Sequence, residues 1–188
     1  MNTTRQPLNR TTMQSPIGLL TLVANDQAIV AICWDTETPD AHNPVDVKLG
    51  DEFVDVVAGS VKSAALDLAA EQLGEYFDGQ RIDFDLPLDP DGTAFQKQAW
   101  DALVKIPFGE TISYGEQATM LGDKNKSRAV GAANGKNPIP IVVPCHRVVG
   151  SNGHLTGFAG GLSVKAWLLD HEFQIRAASV TPGARHLE

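Results

Sequence analysis

Two residues of this chain are cysteines, Cys33 and Cys145, and their neighbours differ in what chemistry they allow. Cys145 is followed directly by a histidine, in the string Pro144-Cys145-His146-Arg147. A cysteine attacks an electrophile as its thiolate, and a nearby imidazole can take the proton. Glu172 could hold the imidazole's other nitrogen, the orienting role in a nucleophile–base–carboxylate set. Consecutive residues of a strand point to opposite faces, so Cys145 and His146 need a turn or a bridging water to cooperate. On the dipeptide alone, a buried inert cysteine beside a surface histidine is the favoured reading. Cys33 lies in an apolar run with no polar residue before it and is read as structural.

The elements that must position these groups follow from turn signals and apolar spacing. Residues 1–10 are polar and expected to fray. Ser15 to Ala24 reads as a strand, Asn25-Asp26 as a turn, and Ala28 to Trp34 as the partner strand of a hairpin. Residues 35–52 are acidic and hold a short strand at most. Helical spacing from Ser60 to Phe77 puts Val61, Ala64, Ala65, Leu68 and Tyr76 near one face, with Leu73 and Phe77 to one side. Ile82 to Leu86 alternates as a strand would, and Pro87 to Gly92 reads as a linker. Thr93 caps a helix through Phe95, Ala99, Trp100 and Leu103 to Ile106. Ser113 and Glu116 form a capping box for a short helix to Leu121. Gly122-Asp123 leads into a further helix, Lys126 to Gly135, with the small residues Ala129, Gly131, Ala132 and Ala133. The two helices read as a helix-turn-helix. Ile141-Val142-Val143 reads as a short buried strand delivering Cys145 to a glycine-rich loop, a common support for a functional side chain. The last helix, Ser163 to Phe173, carries Glu172, and a loose tail is expected from Ala177.

Charge divides the chain at the same linker. Residues 1–92 hold 5 Lys/Arg and 16 Asp/Glu, net −11, whereas residues 93–165 hold 8 and 4, net +4. The overall −8 therefore does not exclude a nucleic-acid partner, because binding follows the local field. A solvated acidic surface with no partner is the alternative. Two domains are expected, an N-terminal αβ unit over 1–92 and a C-terminal unit over 93–188. A composition of 43% hydrophobic and 20% charged residues excludes wholesale disorder. No apolar run reaches the roughly 18 residues of a membrane helix. The polar N-terminus has no signal core, so a reducing cytoplasm is the expected compartment. Two cysteines cannot build a four-cysteine zinc site or a disulfide framework.

The string from Asn137 to Val149, Asn-Pro-Ile-Pro-Ile-Val-Val-Pro-Cys-His-Arg-Val-Val, closely resembles the active-site signature of the O6-alkylguanine-DNA alkyltransferases, the methylated-DNA–protein-cysteine methyltransferases. The resemblance extends to Phe95-Gln96, Val104 to Gly109, Ser113-Tyr114-Gly115, Arg128-Ala129-Val130-Gly131, Gly160-Gly161-Leu162 and Lys165 through Glu172. It implies an α/β two-domain fold. The N-terminal ribonuclease-H-like domain would hold an antiparallel sheet, and the mostly helical C-terminal domain a winged-helix-like helix-turn-helix. It implies direct DNA repair, by irreversible transfer of the alkyl group from O6-alkylguanine, and less so O4-alkylthymine, to Cys145.

By the same resemblance Glu172 orients His146, which draws the proton from Cys145 through a water. Tyr114 helps rotate the phosphodiester and stabilises N3 of the leaving base, and Asn137 fixes the turn before the active site. Arg128 fills the gap left by the flipped nucleotide, with Ser113, Ala129 and Gly131 near the DNA. Val148, Phe158, Ala159 and Gly160 line the pocket. Phe158 and Ala159 depart from the tyrosine and serine of some members, which puts substrate range and inhibitor sensitivity in question. No cofactor and no metal are implied. The partner is double-stranded DNA carrying O6-alkylguanine. A monomer is expected in solution, with side-by-side binding on DNA left open. A thioether product has no good leaving group, so one turnover per molecule is expected. Three other classes compete: a lesion-binding protein without repair, which Cys145 argues against; a cysteine hydrolase with many turnovers; and a transcription factor.

Overall fold

The computed structural model describes residues 8–34, 53–55 and 64–180. The N-terminal part is a four-stranded sheet in the order β3-β2-β1-β4, from β1 (Leu8–Ser15), β2 (Gly18–Ala24), β3 (Ile29–Trp34) and β4 (Phe53–Asp55). The first three strands are antiparallel, Met13 facing Leu20 and Leu22 facing Ile32, while β4 joins β1 in parallel. The expected hairpin is β2–β3, and Asn25 makes its turn, its side chain accepting from the amides of Gln27 and Ala28 at 2.9 and 2.8 Å. The expected fraying of residues 1–10 fails from Leu8 on. β1 pairs along β2 back to Asn9, and a polar strand needs only ladder bonds to be ordered.

Helix α1 (Ala64–Phe77) packs on this sheet through Leu66, Ala69, Gln72, Leu73 and Tyr76. The buried face is therefore turned from the one expected: Leu68 is exposed and so is Ala64. Val61 and the expected start at Ser60 lie outside the described residues, as do 35–52. Ile82 to Leu86 forms no strand. Instead the segment through Pro87 and Asp89 lies along β3, with Ile29 N–H donating to Pro87 O and Asp89 N–H to Ile29 O, both at 2.9 Å. The expected linker thus covers a sheet edge that would otherwise carry unpaired backbone groups.

The C-terminal part is helical: α2 (Ala94–Leu103), α3 (Tyr114–Met120), α4 (Ser127–Asn134) and α5 (Gly161–Val180). Both expected N-caps are present as full capping boxes, Thr93 with Gln96 and Ser113 with Glu116. A buried amide pair ties α3 to α4: Asn134 Nδ2 donates to Gln117 Oε1 at 2.7 Å, and Gln117 Nε2 returns a bond to Asn134 Oδ1 at 3.1 Å. Trp100 Nε1 anchors α4 to α2 through Ala133 O at 2.9 Å. Helix α5 runs seven residues past Phe173, so the loose tail from Ala177 is replaced by helix to Val180. Gln174 to Ser179 contains no helix breaker, and Arg176 fastens this turn to Glu110 at 2.7 Å.

One apolar core runs through both parts. Leu20, Leu22, Ile29, Ile32 and Trp34 of the sheet join Leu73 and Tyr76 of α1, then Trp100, Leu103, Ile139, Val148 and Leu168. Val23, Ala31 and Cys33 form a separate cluster on the sheet's other face, as alternation along a strand requires. Among the described residues no helix is long and apolar enough to cross a membrane.

Candidate active site

The segment before Cys145 is buried, as expected, but it is a turn and not a strand. Pro140 bridges Val143, and Ile141 sits at φ +77°. A β-branched residue in that region is strained by about 1–3 kcal/mol, so the surroundings must hold it. Asn137 does so. Its Nδ2 donates to Val143 O at 2.7 Å and its Oδ1 accepts from Ile139 N–H at 3.1 Å. Beyond this turn Cys145–Arg147 form a single 3-10 turn. All three residues are buried, so the imidazole lies inside the protein with the thiol and not at the surface.

Two short strands set the other wall. β5 (Ile112–Ser113) pairs in parallel with β6 (Val148–Val149), which carries the chain out of the 3-10 turn. Ile112 thereby faces Val148 and Ser113 faces Val149, with Tyr114 following at the start of α3. The Tyr114 hydroxyl donates to Thr156 O at 3.3 Å, and its ring lies against Gly131 of α4. Phe158, Ala159 and Gly160 are buried in the loop before α5. Gly160 is required by close approach: a Cβ there would lie 2.7 Å from the Trp34 ring. Arg128 and Ala129 are exposed on α4, and Arg128 has no ion-pair partner among the described residues.

Glu172 collects five donors. Oε1 accepts from His146 Nε2 at 2.8 Å, Tyr76 OH at 2.9 Å and Arg147 Nη2 at 3.0 Å. Oε2 accepts from Arg147 Nε and Gly109 N–H, both at 2.9 Å. Burial alone would raise this carboxyl's pKa, but His146 and Arg147 outweigh it and hold it at about 2. Glu172 is therefore ionised and can only accept. His146 Nε2 must then carry its hydrogen, which leaves Nδ1 with a free lone pair. Nδ1 is buried and has no hydrogen-bond partner among the described residues. Burial lowers the His146 pKa, against the raising effect of Glu172 and with Arg147 and Lys165 adding to the lowering. The imidazole is thus neutral at neutral pH, with its basic nitrogen unoccupied by protein.

Burial likewise pushes the Cys145 thiol up, against the lowering effects of Asn137 and the charge of Lys165. A protonated thiol needs a base before it can attack, and His146 is the adjacent one. Lys165 was not among the expected site residues, although its seven-residue separation from Glu172 puts both on one helix face. Its Nζ donates to Val148 O and Thr156 O, both at 2.7 Å, and burial brings its pKa down to about 8. It remains charged at pH 7. Arg147 was seen only as part of the Pro-Cys-His-Arg string. Tyr76 and Gly109 carried no signal as site residues, because each meets Glu172 across a long stretch of chain. Cys33 is remote in the sheet, and burial raises its pKa to about 11.

Residues 8–90 match the model described as "6-O-methylguanine DNA methyltransferase, ribonuclease-like domain", and residues 94–174 match that described as "6-O-methylguanine DNA methyltransferase, DNA binding domain". The chain is 44% identical over 170 residues to the methylated-DNA–protein-cysteine methyltransferase of Mycolicibacterium paratuberculosis, covering 90% of this chain and 95% of that protein. It is 40% identical over 160 residues to the protein of that name from Shigella flexneri, covering 84% and 91%. The crystal structure of Mycobacterium tuberculosis OGT in complex with DNA superposes with a TM-score of 0.75 at 40% identity, covering 89% of this chain and 94% of that one.

Proposed function

We infer the function from one premise, that this chain belongs to the 6-O-methylguanine DNA methyltransferase family. It is a methylated-DNA–protein-cysteine methyltransferase that repairs DNA directly by moving the alkyl group from O6-alkylguanine to itself. The observation that supports the assignment of roles is the relay built on Glu172. A fixed carboxylate holds Nε2 of a neutral His146, whose Nδ1 has no hydrogen-bond partner among the described residues, and the residue before it in the same 3-10 turn is a buried thiol.

In the proposed reaction His146 Nδ1 takes the Cys145 proton, through a water. The Sγ electron pair attacks the alkyl carbon in line, the S–C bond forms and the C–O6 bond breaks, and guanine leaves as its anion. Tyr114 donates to N3 of the leaving base. Burial, the largest influence on this phenol, raises its pKa and so keeps the donated proton in place. Asn137 holds the strained turn that presents Cys145. Val148, Phe158, Ala159 and Gly160 wall the pocket, and backbone groups there read the guanine edge. The target nucleotide must leave the base stack to reach a buried thiol. Helices α3 and α4 form a helix-turn-helix that meets the duplex with Ser113, Ala129 and Gly131, and Arg128 enters the space the nucleotide vacates. Residues 1–92 and 93–188 act as two domains, the protein works in the cytoplasm, and it is a monomer in solution.

A thioether offers water no leaving group comparable to guanine, so each molecule acts once. With methylated duplex in excess, methyl transfer should stop at a single group per protein molecule. Continued turnover would instead mark a cysteine hydrolase. Arg128→Ala should slow repair of duplex by roughly tenfold or more, far beyond its effect on free O6-alkylguanine base. Equal losses on the two substrates, measured as single-turnover rates, would remove Arg128 from the flipping role.

A further inference from the structure

We infer that Tyr76, carried by α1 of the sheet domain, is a positioning residue for the reaction: its hydroxyl shares the carboxylate oxygen that holds His146 and so sets how readily that imidazole binds a proton. The inference rests on the His146–Glu172 relay proposed above.

Tyr76 is fully buried. A buried hydroxyl is costly unless it finds a partner, and the partner here is Glu172 Oε1 at 2.9 Å. Packing does not require the oxygen. The ring is fixed by Phe77, Phe84, Phe108 and His171, with centroids 5.4 to 6.1 Å away. The Tyr76 carbonyl also accepts from His171 Nε2 at 2.9 Å. A phenylalanine would fill the same space. What the hydroxyl adds is a third donor on Oε1, beside His146 Nε2 at 2.8 Å and Arg147 Nη2 at 3.0 Å. A carboxylate oxygen has two lone-pair sites, so three donors divide one oxygen's capacity. Burial first, and then the charge of Glu172, keep the phenol protonated and hence a donor.

Removing the hydroxyl leaves more of the Oε1 charge to His146. A carboxylate less occupied by other donors favours imidazolium more strongly. The other charged groups that act on His146 are Arg147 of its own turn and Lys165 of α5, and Cys145 is its neighbour in that turn; none of them changes in Tyr76→Phe. The active site's proton affinity is therefore set in part from the opposite domain. The apparent value belongs to the Cys145–His146–Glu172 group as a whole.

The test is the single-turnover rate of alkyl transfer from free O6-alkylguanine base between pH 5 and 9, read by mass in the full chain. Wild type, Tyr76→Phe and Phe84→Leu are compared. The free base removes the pH dependence of duplex binding. Wild type should lose rate on its acid side as His146 becomes protonated. In Tyr76→Phe that limb should move up by about half a pH unit or more, which makes the variant roughly threefold slower on the acid side than wild type at the same pH. Phe84→Leu loosens the packing around the ring without touching Glu172, and should lower the melting temperature with the limb in place. A Tyr76→Phe limb that stays put or moves down, with only stability lost, overturns the inference. A wild-type rate with no acid limb overturns the relay itself, and the inference with it.

Discussion

Cys145→Ala should bind duplex carrying a single O6-methylguanine and remove no methyl from it. Cys145 is one of two cysteines in the chain, and the other, Cys33, packs elsewhere with Val23 and Ala31. Loss of the nucleophile should cost roughly a thousandfold or more in single-turnover rate. Binding should survive, because the proposed duplex contacts lie on α3 and α4 and the thiol is buried. Cys33→Ala is the matched control. Cys33 packs with Val23 and Ala31 on the far face of the sheet. With its pKa near 11, only about one part in ten thousand is thiolate at pH 7. That variant should transfer methyl as the native chain does. Rates on a methylated duplex, with binding followed separately by mobility shift, decide both halves.

The second large effect is expected at Arg147. Its guanidinium bridges both oxygens of Glu172 and also donates to Ile106 O at 2.7 Å. Arg147→Ala leaves a fully buried carboxylate without its permanent counter-charge. Breaking a buried pair from one side costs about 3–5 kcal/mol. For a chain of this size that corresponds to a melting temperature lower by roughly 6–20 °C. Activity should fall as well, because without the Arg147 charge Glu172 stabilises imidazolium more strongly and less of His146 is neutral base. Arg147→Lys should restore little, since an ammonium cannot span two oxygens and a carbonyl at once.

The sign of the pH dependence follows from the same pair. Glu172 has a folded pKa of about 2, below its ordinary value of 4.5. Its contribution to stability is present above pH 4.5 and is lost as pH falls toward 2. Arg147→Ala raises the folded value, so acid unfolding should begin at higher pH than in the native chain. Thermal melts between pH 3 and 7 measure this. An unshifted acid transition would mean that Arg147 does not hold Glu172 ionised.

The parts of this site that were legible in the sequence are those whose signal is local. Thr93 and Ser113 each carry a cap partner three residues on, and both boxes formed. The Asn25 turn and the hairpin around it likewise follow from adjacent residues. Cys145 and His146 stand as an adjacent pair that alone favours an inert reading; the string from Asn137 to Val149 singles them out with Asn137, and the further likeness over Lys165 through Glu172 adds Glu172. The misreadings have a common cause, which is tertiary structure overriding a local pattern. Ile141-Val142-Val143 has the composition of a strand, yet Asn137 folds it into a strained turn through bonds to Ile139 and Val143. Pro87 to Gly92 has the prolines and aspartates of a linker, whereas its backbone at Pro87 and Asp89 is held by Ile29. Asn9 and Arg10 are polar, and strand pairing with β2 on one side and β4 on the other orders them. Tyr76 shows the limit most clearly. Its helix spacing marks it as core, which it is, but nothing in α1 announces that its hydroxyl ends on a carboxylate 96 residues away.

The acidity of the N-terminal half has no functional account, whereas its packing has a structural one. Its sheet and α1 pack against the helical part through a shared core, and Trp34 closes on Gly160 beside the pocket wall, with Phe158 at 5.5 Å between ring centroids. The sheet thus backs the loop that carries Phe158 and Gly160, while the charged groups proposed to meet DNA belong to the helical part. That division is consistent with the charge asymmetry of the chain.

The central claim is that Cys145 itself accepts the alkyl group, and intact mass tests it most directly. The protein is mixed with a duplex oligonucleotide bearing one O6-methylguanine, weighed, digested and mapped. The account predicts the mass of a single added methyl, saturating at one per molecule and located on the peptide containing Cys145, with the Cys33 peptide unmodified. Tight binding to the lesion with no added mass, or a methyl located anywhere but Cys145, would contradict it.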